Sequence, residues 1–141
     1  MVVEAANGGF DSVLTSTSYT LPVNVEALYT VGSGLTGTGN SGANTLVTTG
    51  ANTLVGLGGD DTFVFSAGSA NGATVADFSR GQVAEWDFLV FSGFGTEAQG
   101  AALSQIGTTD QWQIHSGLDA HNETITFSNG AAVHPGDFAF V

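Results

Sequence analysis

The chain contains no cysteine and a single basic side chain, Arg80, against 13 acidic residues. Without thiols there is no disulfide framework, no thiolate metal site and no cysteine nucleophile. Without cations there is little to displace the counterions of a nucleic acid or to hold the protein on an anionic bilayer, so neither partner is expected. A formal net charge of −12 opposes compaction unless cations screen or ligate some of the carboxylates. Calcium, a hard ion that takes oxygen ligands, suits that need.

Helix-favouring stretches are scarce. Residues 97–105 (EAQGAALSQ) are the one passable helical patch, and Gly100 within it costs about 1 kcal/mol. Residues 1–10 lack a basic region and a long apolar run, so neither a Sec-type signal peptide nor a membrane-spanning helix is expected there. Catalytic signatures are missing as well: the chain has no HExxH and no G-x-S-x-G. His115, His121 and His134 stand at spacings that suggest no shared metal and read as scattered surface histidines. Glu85 and Asp87 flank Trp86, two carboxylates beside an aromatic ring as in a glycosidase pair, but their separation assigns no mechanism and a solvated acidic patch is the simpler reading. The chain is expected to be non-catalytic.

What the chain has is a repeat. Residues 42–65 read GANTLVTTGANTLVGLGGDDTFVF, three passes through a small turn residue, a carboxylate or its amide, a threonine and a large apolar residue. Asn44, Asn52 and Asp61 occupy the same place in each pass, each followed two residues later by Leu46, Leu54 or Phe63. Units this short cannot hold a helical hairpin, so each is one tight turn plus one short strand stacked on its neighbours. Two units make a coil, which puts Asn44 and Asp61 on one side of the stack and Asn52 on the other. The nonapeptide G-G-x-G-x-D-x-U-x marks parallel β-helices that bind calcium in their turns. Residues 56–64, GLGGDDTFV, depart from it mainly in having Leu57 in the second place.

Beyond the repeats, thr, val, phe and ile dominate the periodic stretches, and these favour pleated surfaces. Residues 111–116 and 123–128 each alternate, with Trp112 and Ile114 on one face of the first and Ile125 and Phe127 on one face of the second; the turn residues between them predict a hairpin. The expected architecture is all-β: a single domain over residues 1–141, a short parallel β-roll or β-helix capped by C-terminal antiparallel strands, with lead-in coils over 1–36, repeats over 37–66 and a closing cap over 67–141.

The repeats and both flanks together resemble the RTX family, the haemolysin-type calcium-binding repeats near the C-terminus of bacterial type I secreted proteins. Upstream, residues 4–28 carry Asp11 before Val13 and Glu26 before Leu28; downstream, VADFSRGQ (75–82), DFLVFSGFG (87–95) and DFAFV (137–141) are similar to the family's closing segment. The resemblance implies a Ca2+ site between the 39–44 and 56–61 turns. Asp61 is its charged ligand, Asn44 a neutral one, Asp60 a spare, Gly56 and Gly58 belong to the carbonyl-bearing stretch, and Asp77 is a further acidic ligand. For Asn44 and Asn52 the competing reading is a turn residue stacked in an amide ladder. The resemblance also implies an uncleaved export address at residues 137–141, a secreted, extracellular location and engagement with type I secretion machinery; a last edge strand is the plainer reading of the same segment.

Three function classes follow as expectations: a calcium-binding folding and secretion module at the C-terminal end of a larger exported enzyme or adhesin; a carbohydrate-binding module whose exposed Trp86, Trp112 or Tyr29 stack on the sugar rings of a polysaccharide, with core packing as the alternative for both tryptophans; and a purely structural or self-associating cap.

Overall fold

Alternation places the strands. In TLVTT and TFVFS, a threonine or valine alternates with a second residue that is buried, so one face of each strand must be covered. The chain covers those faces by winding, each strand leading through a tight turn to a second strand on the opposite layer. The computed structural model describes residues 4, 8–80 and 85–141; the lead-in residues 5–7, most of residues 1–10 and positions 81–82 of the 75–82 segment lie outside the described residues. Among the described residues there are thirteen strands and no α-helix.

The first sheet holds β1 (Ser12–Thr15), β3 (Ala27–Val31), β5 (Thr45–Thr49), β7 (Thr62–Ser66), β9 (Phe88–Ser92) and β13 (Phe138–Phe140) in that order, all parallel. The second holds β2 (Tyr19–Thr20), β4 (Thr36–Thr38), β6 (Thr53–Val55), β8 (Ala73–Val75) and β12 (Asn122–Phe127) in parallel. It is extended by β11 (Gln111–His115) and β10 (Ala102–Gln105) in antiparallel pairing. This is the expected all-β roll with an antiparallel cap, and the expected hairpin is β11–β12, with Trp112 opposite Ile125.

Register stacks like on like. Leu28, Leu46, Phe63 and Leu89 form one inner column, and Thr30, Thr48, Phe65, Phe91 and Phe140 the next. Gly37, Leu54, Val75 and Phe127 face them from the second sheet. Each fully buried leucine or phenylalanine contributes roughly 1.5–3 kcal/mol of transfer free energy. Gly37 is required at its position: a methyl there would stand 2.8 Å from Thr30 Cγ2.

The helical expectation for residues 97–105 is corrected. Glu97–Gln99 form one 3-10 turn, Gly100 ends it at φ 101°, and the chain leaves as strand β10. Pairing of Leu103 opposite Ile114 outweighs the helix propensity of AALSQ.

Among the described residues, no acidic side chain lies on the outer face of either sheet. All lie in turns and connections except Glu123, which points inward from β12. The net negative charge is therefore concentrated along the edges where the coils turn.

Candidate metal centre

One residue stands immediately before each strand of the first sheet: Asp11, Glu26, Asn44, Asp61, Asp87 and Asp137. These positions form a ladder along one side of the roll. The Asp11 amide donates to Glu26 Oε2 at 2.9 Å, the Asn44 amide to Asp61 Oδ1 at 2.8 Å, and the Asp61 amide to Asp87 Oδ1 at 3.0 Å. Each carboxylate thus satisfies a turn amide of the preceding coil that strand pairing leaves open.

The structure places Asn44 and Asp61 on the same side, 17 residues apart, and Asn52 on the other. Asn52 works as a staple there. Its Oδ1 accepts the Leu35 amide at 2.9 Å, while Nδ2 donates to the Gly32 carbonyl at 2.8 Å and Thr48 Oγ1 at 3.0 Å. On the ladder side, Asn40 Nδ2 donates to the carbonyls of Pro22 and Val25 at 2.9 and 2.8 Å, and Asn44 Nδ2 to Val25 at 3.2 Å. In these turn pairs a side-chain amide presents positive hydrogen to carbonyl oxygens, the same electrostatic role a cation would fill.

The 56–61 turn is different. Around it gather Asp60, Asp61, Asp77, Glu85 and Asp87. Asp77 accepts the Gly56 and Leu57 amides at 2.8 and 2.9 Å, Asp87 Oδ2 accepts the Ser79 amide at 2.7 Å, and Asp60 Oδ1 accepts the Trp86 amide at 2.7 Å. A methyl on Gly56 would collide with Asp61 Oδ2, and one on Gly58 would meet Glu85 Oε1 at 3.4 Å. The two glycines therefore let carboxylate oxygens approach the backbone closely. Gly59, at φ 102°, packs directly on Gly42 and Ala43 of the preceding turn.

Asp61 is 2% exposed. Burial raises its carboxyl from the ordinary range to about 7; the Asn44 amide bond opposes the shift, and the charges of Asp87, Asp77 and Glu85 reinforce it. Burial also raises Asp87, against its bonds from the Ser79 and Asp61 amides. The one arginine is engaged elsewhere: Arg80 Nε donates to Asp137 at 2.9 and 2.7 Å.

Tested as a calcium site, the turn offers oxygen donors of the right kind. Among the described residues no three His, Asp or Glu side chains converge closely enough to hold an ion by themselves. An ion here would therefore need main-chain carbonyls to reach the six to eight oxygens calcium takes. Gly56 O faces Gly39, where an added methyl would collide with it and with Asn44 Oδ1, so carbonyl, amide and carboxylate oxygens do meet at this seam. The sequence brings forward Asn44, Asp60, Asp61, Asp77, Gly56 and Gly58; Asn44 lies at the seam with its Oδ1 accepting the Asn40 amide at 2.6 Å, and Asp87 and Glu85 lie beside the same turn. Their signal is obscured by the longer spacing of that coil, 26 residues from Asp61 to Asp87.

Of the aromatic candidates, Trp86 is 49% exposed and bridges to Arg80 just before β9, and Tyr29 is 40% exposed on the outer face of the first sheet. Trp112 is 8% exposed and packs edge-on against Phe127 at 6.2 Å, so it belongs to the core. The three do not share a surface. The histidines are separate too: His115 pairs with Asn122, His121 with Asp119 and Glu123, and His134 lies 3.6 Å from Asp137.

No family model, curated protein or solved structure matches this chain.

Proposed function

We propose that the chain is a non-catalytic β-roll module of RTX type that binds calcium at the 56–61 turn, with Asp61 as the main charged ligand. In this reading it is the C-terminal folding and secretion region of a larger exported bacterial enzyme or adhesin. The observation that carries the reading is Asp61: a buried carboxyl, backed by Asp87, with no basic side chain of the described residues against it. Asparagine amides close the neighbouring turn pairs, and a carboxylate cannot do so because it has no hydrogen to give. When bound, calcium supplies the missing positive charge. Asp61 and Asp77 would supply carboxylate oxygens to it, and the Gly56 and Leu57 amides fix the Asp77 carboxylate.

The C-terminal segment serves both roles considered for it in this reading. As β13 it pairs with β9, and Phe140 lies 5.2 Å from Phe91, so residues 137–141 help close the fold as well as carrying the proposed address. Calorimetric titration with calcium and melting in calcium against EDTA test the proposal, using Asp61→Asn as the control. Saturable heat and a raised melting temperature, both largely lost in Asp61→Asn, are expected. Neither heat nor shift in the native chain would refute it.

A further inference from the structure

Leu57 is 56% exposed and holds φ 75°. A leucine in the left-handed region is strained, and the surrounding turn has no need of it. Asp77 fixes the backbone through the Gly56 and Leu57 amides, which any residue offers and glycine offers without strain. Packing does not explain the side chain either, because more than half of it faces solvent. Strain retained without packing is a mark of function.

Trp86 is the other large exposed apolar group here. Its amide is bonded to Asp60 on the same turn as Leu57, so the two stand on adjacent turns of one edge. Asp60, Asp77 and Glu85 lie around them. Arg80 already shows what the indole accepts: its guanidinium carbon lies 5.4 Å from the ring centroid.

We propose that Leu57 and Trp86, framed by Asp60, Asp77 and Glu85, form a docking surface for a basic segment of another protein, one that carries a large apolar residue between lysines or arginines. Leu57 and Trp86 take the apolar side chain and the carboxylates take the flanking cations. Charge complementarity selects this occupant, since a chain of net charge −12 repels nucleic acid and anionic bilayers. The inference does not rest on calcium, because Leu57, Trp86 and the more exposed acids of the rim act without it.

The probe is a fluorescent peptide of alternating lysine and leucine, compared with one of alternating lysine and glycine, titrated into the full chain in EDTA. Saturable binding about tenfold tighter for the lysine–leucine peptide and weakened by salt is expected. Leu57→Gly should lose that preference while raising the melting temperature, so that the loss cannot be unfolding. Trp86→Ala should lose it at an unchanged melting temperature. Equal affinity for the two peptides, no saturable binding of the lysine–leucine peptide, or undiminished preference in Leu57→Gly would each overturn the proposal.

Discussion

The Asp61 amide donates to Asp87 Oδ1 while the Asp61 carboxyl accepts the Asn44 amide, so two buried acids of successive coils are linked head to tail through one residue's backbone. The arrangement satisfies main-chain amides and concentrates negative charge along one seam. It therefore makes stability depend on protons and cations in a definite direction.

Burial pushes the Asp61 carboxyl up from its ordinary value of 3.8 to about 7 in the folded chain. A raised carboxyl means the folded state binds the proton more tightly than the unfolded state, so stability falls as pH rises from about 4 through 7. Melting in EDTA should show that decline between about pH 4 and pH 7, and Asp61→Asn should flatten it. Calcium and the proton compete for the same oxygens. The calcium-induced gain should accordingly be larger near pH 8 than near pH 5.5, and a gain independent of pH would remove Asp61 from the site.

A histidine bridge adds a second pH effect. His121 Nδ1 lies 2.5 Å from Asp119 and Nε2 lies 2.9 Å from Glu123, so only the protonated ring can donate to both. Glu123, followed by Asp119, raises the His121 pKa above 6.5. The resulting stability is complete below about 6.5 and is lost as pH rises through the folded value. Glu123 also accepts the Asn71 amide at 2.8 Å, so the bridge ties the β7–β8 turn to the hairpin. His121→Gln should remove this part of the decline and leave the Asp61 part, as melting curves of the two single variants and the double variant would show.

The repeat was legible because its period is that of the fold: a turn residue and a strand every eight or nine residues put Asn44 and Asp61 on one rung side and Asn52 opposite. Asp87 was not legible as the next rung, since the longer 76–87 connection breaks the spacing. Residues 97–105 misled because local propensity favours helix, whereas the exposed edge of β11 required a partner strand. Alternation does not identify Trp112 as a core residue, because it fixes which residues share a face but not which face is covered.

The two tryptophans should respond in opposite ways to truncation. Trp112→Ala removes a buried ring and should cost about 3–5 kcal/mol, enough to unfold a small domain. Trp86→Ala should fall within about 0.5 kcal/mol. Trp112 Nε1 is buried without a hydrogen-bond partner, so Trp112→Phe, which deletes that donor, should be much milder than Trp112→Ala in chemical denaturation.

Asn52 offers a test of what separates the amide turns from the acidic one. Its Nδ2 donates to Gly32 O and Thr48 Oγ1, and its Oδ1 accepts from Leu35. Asn52→Asp keeps the shape and the acceptor but turns the donor into an oxygen facing a carbonyl, leaving buried polar groups unpaired at about 1–3 kcal/mol. In EDTA the variant should melt lower than the native chain by that margin. A cation placed between the new carboxylate and Gly32 O would replace the lost hydrogen bond, so calcium should restore part of the difference and give this turn a response it lacks with asparagine. If Asn52→Asp melts like the native chain in EDTA, the staple contributes nothing. If it is destabilised and calcium does not help, the amide and the cation are not interchangeable in these turns, and the contrast drawn between Asn52 and Asp61 fails.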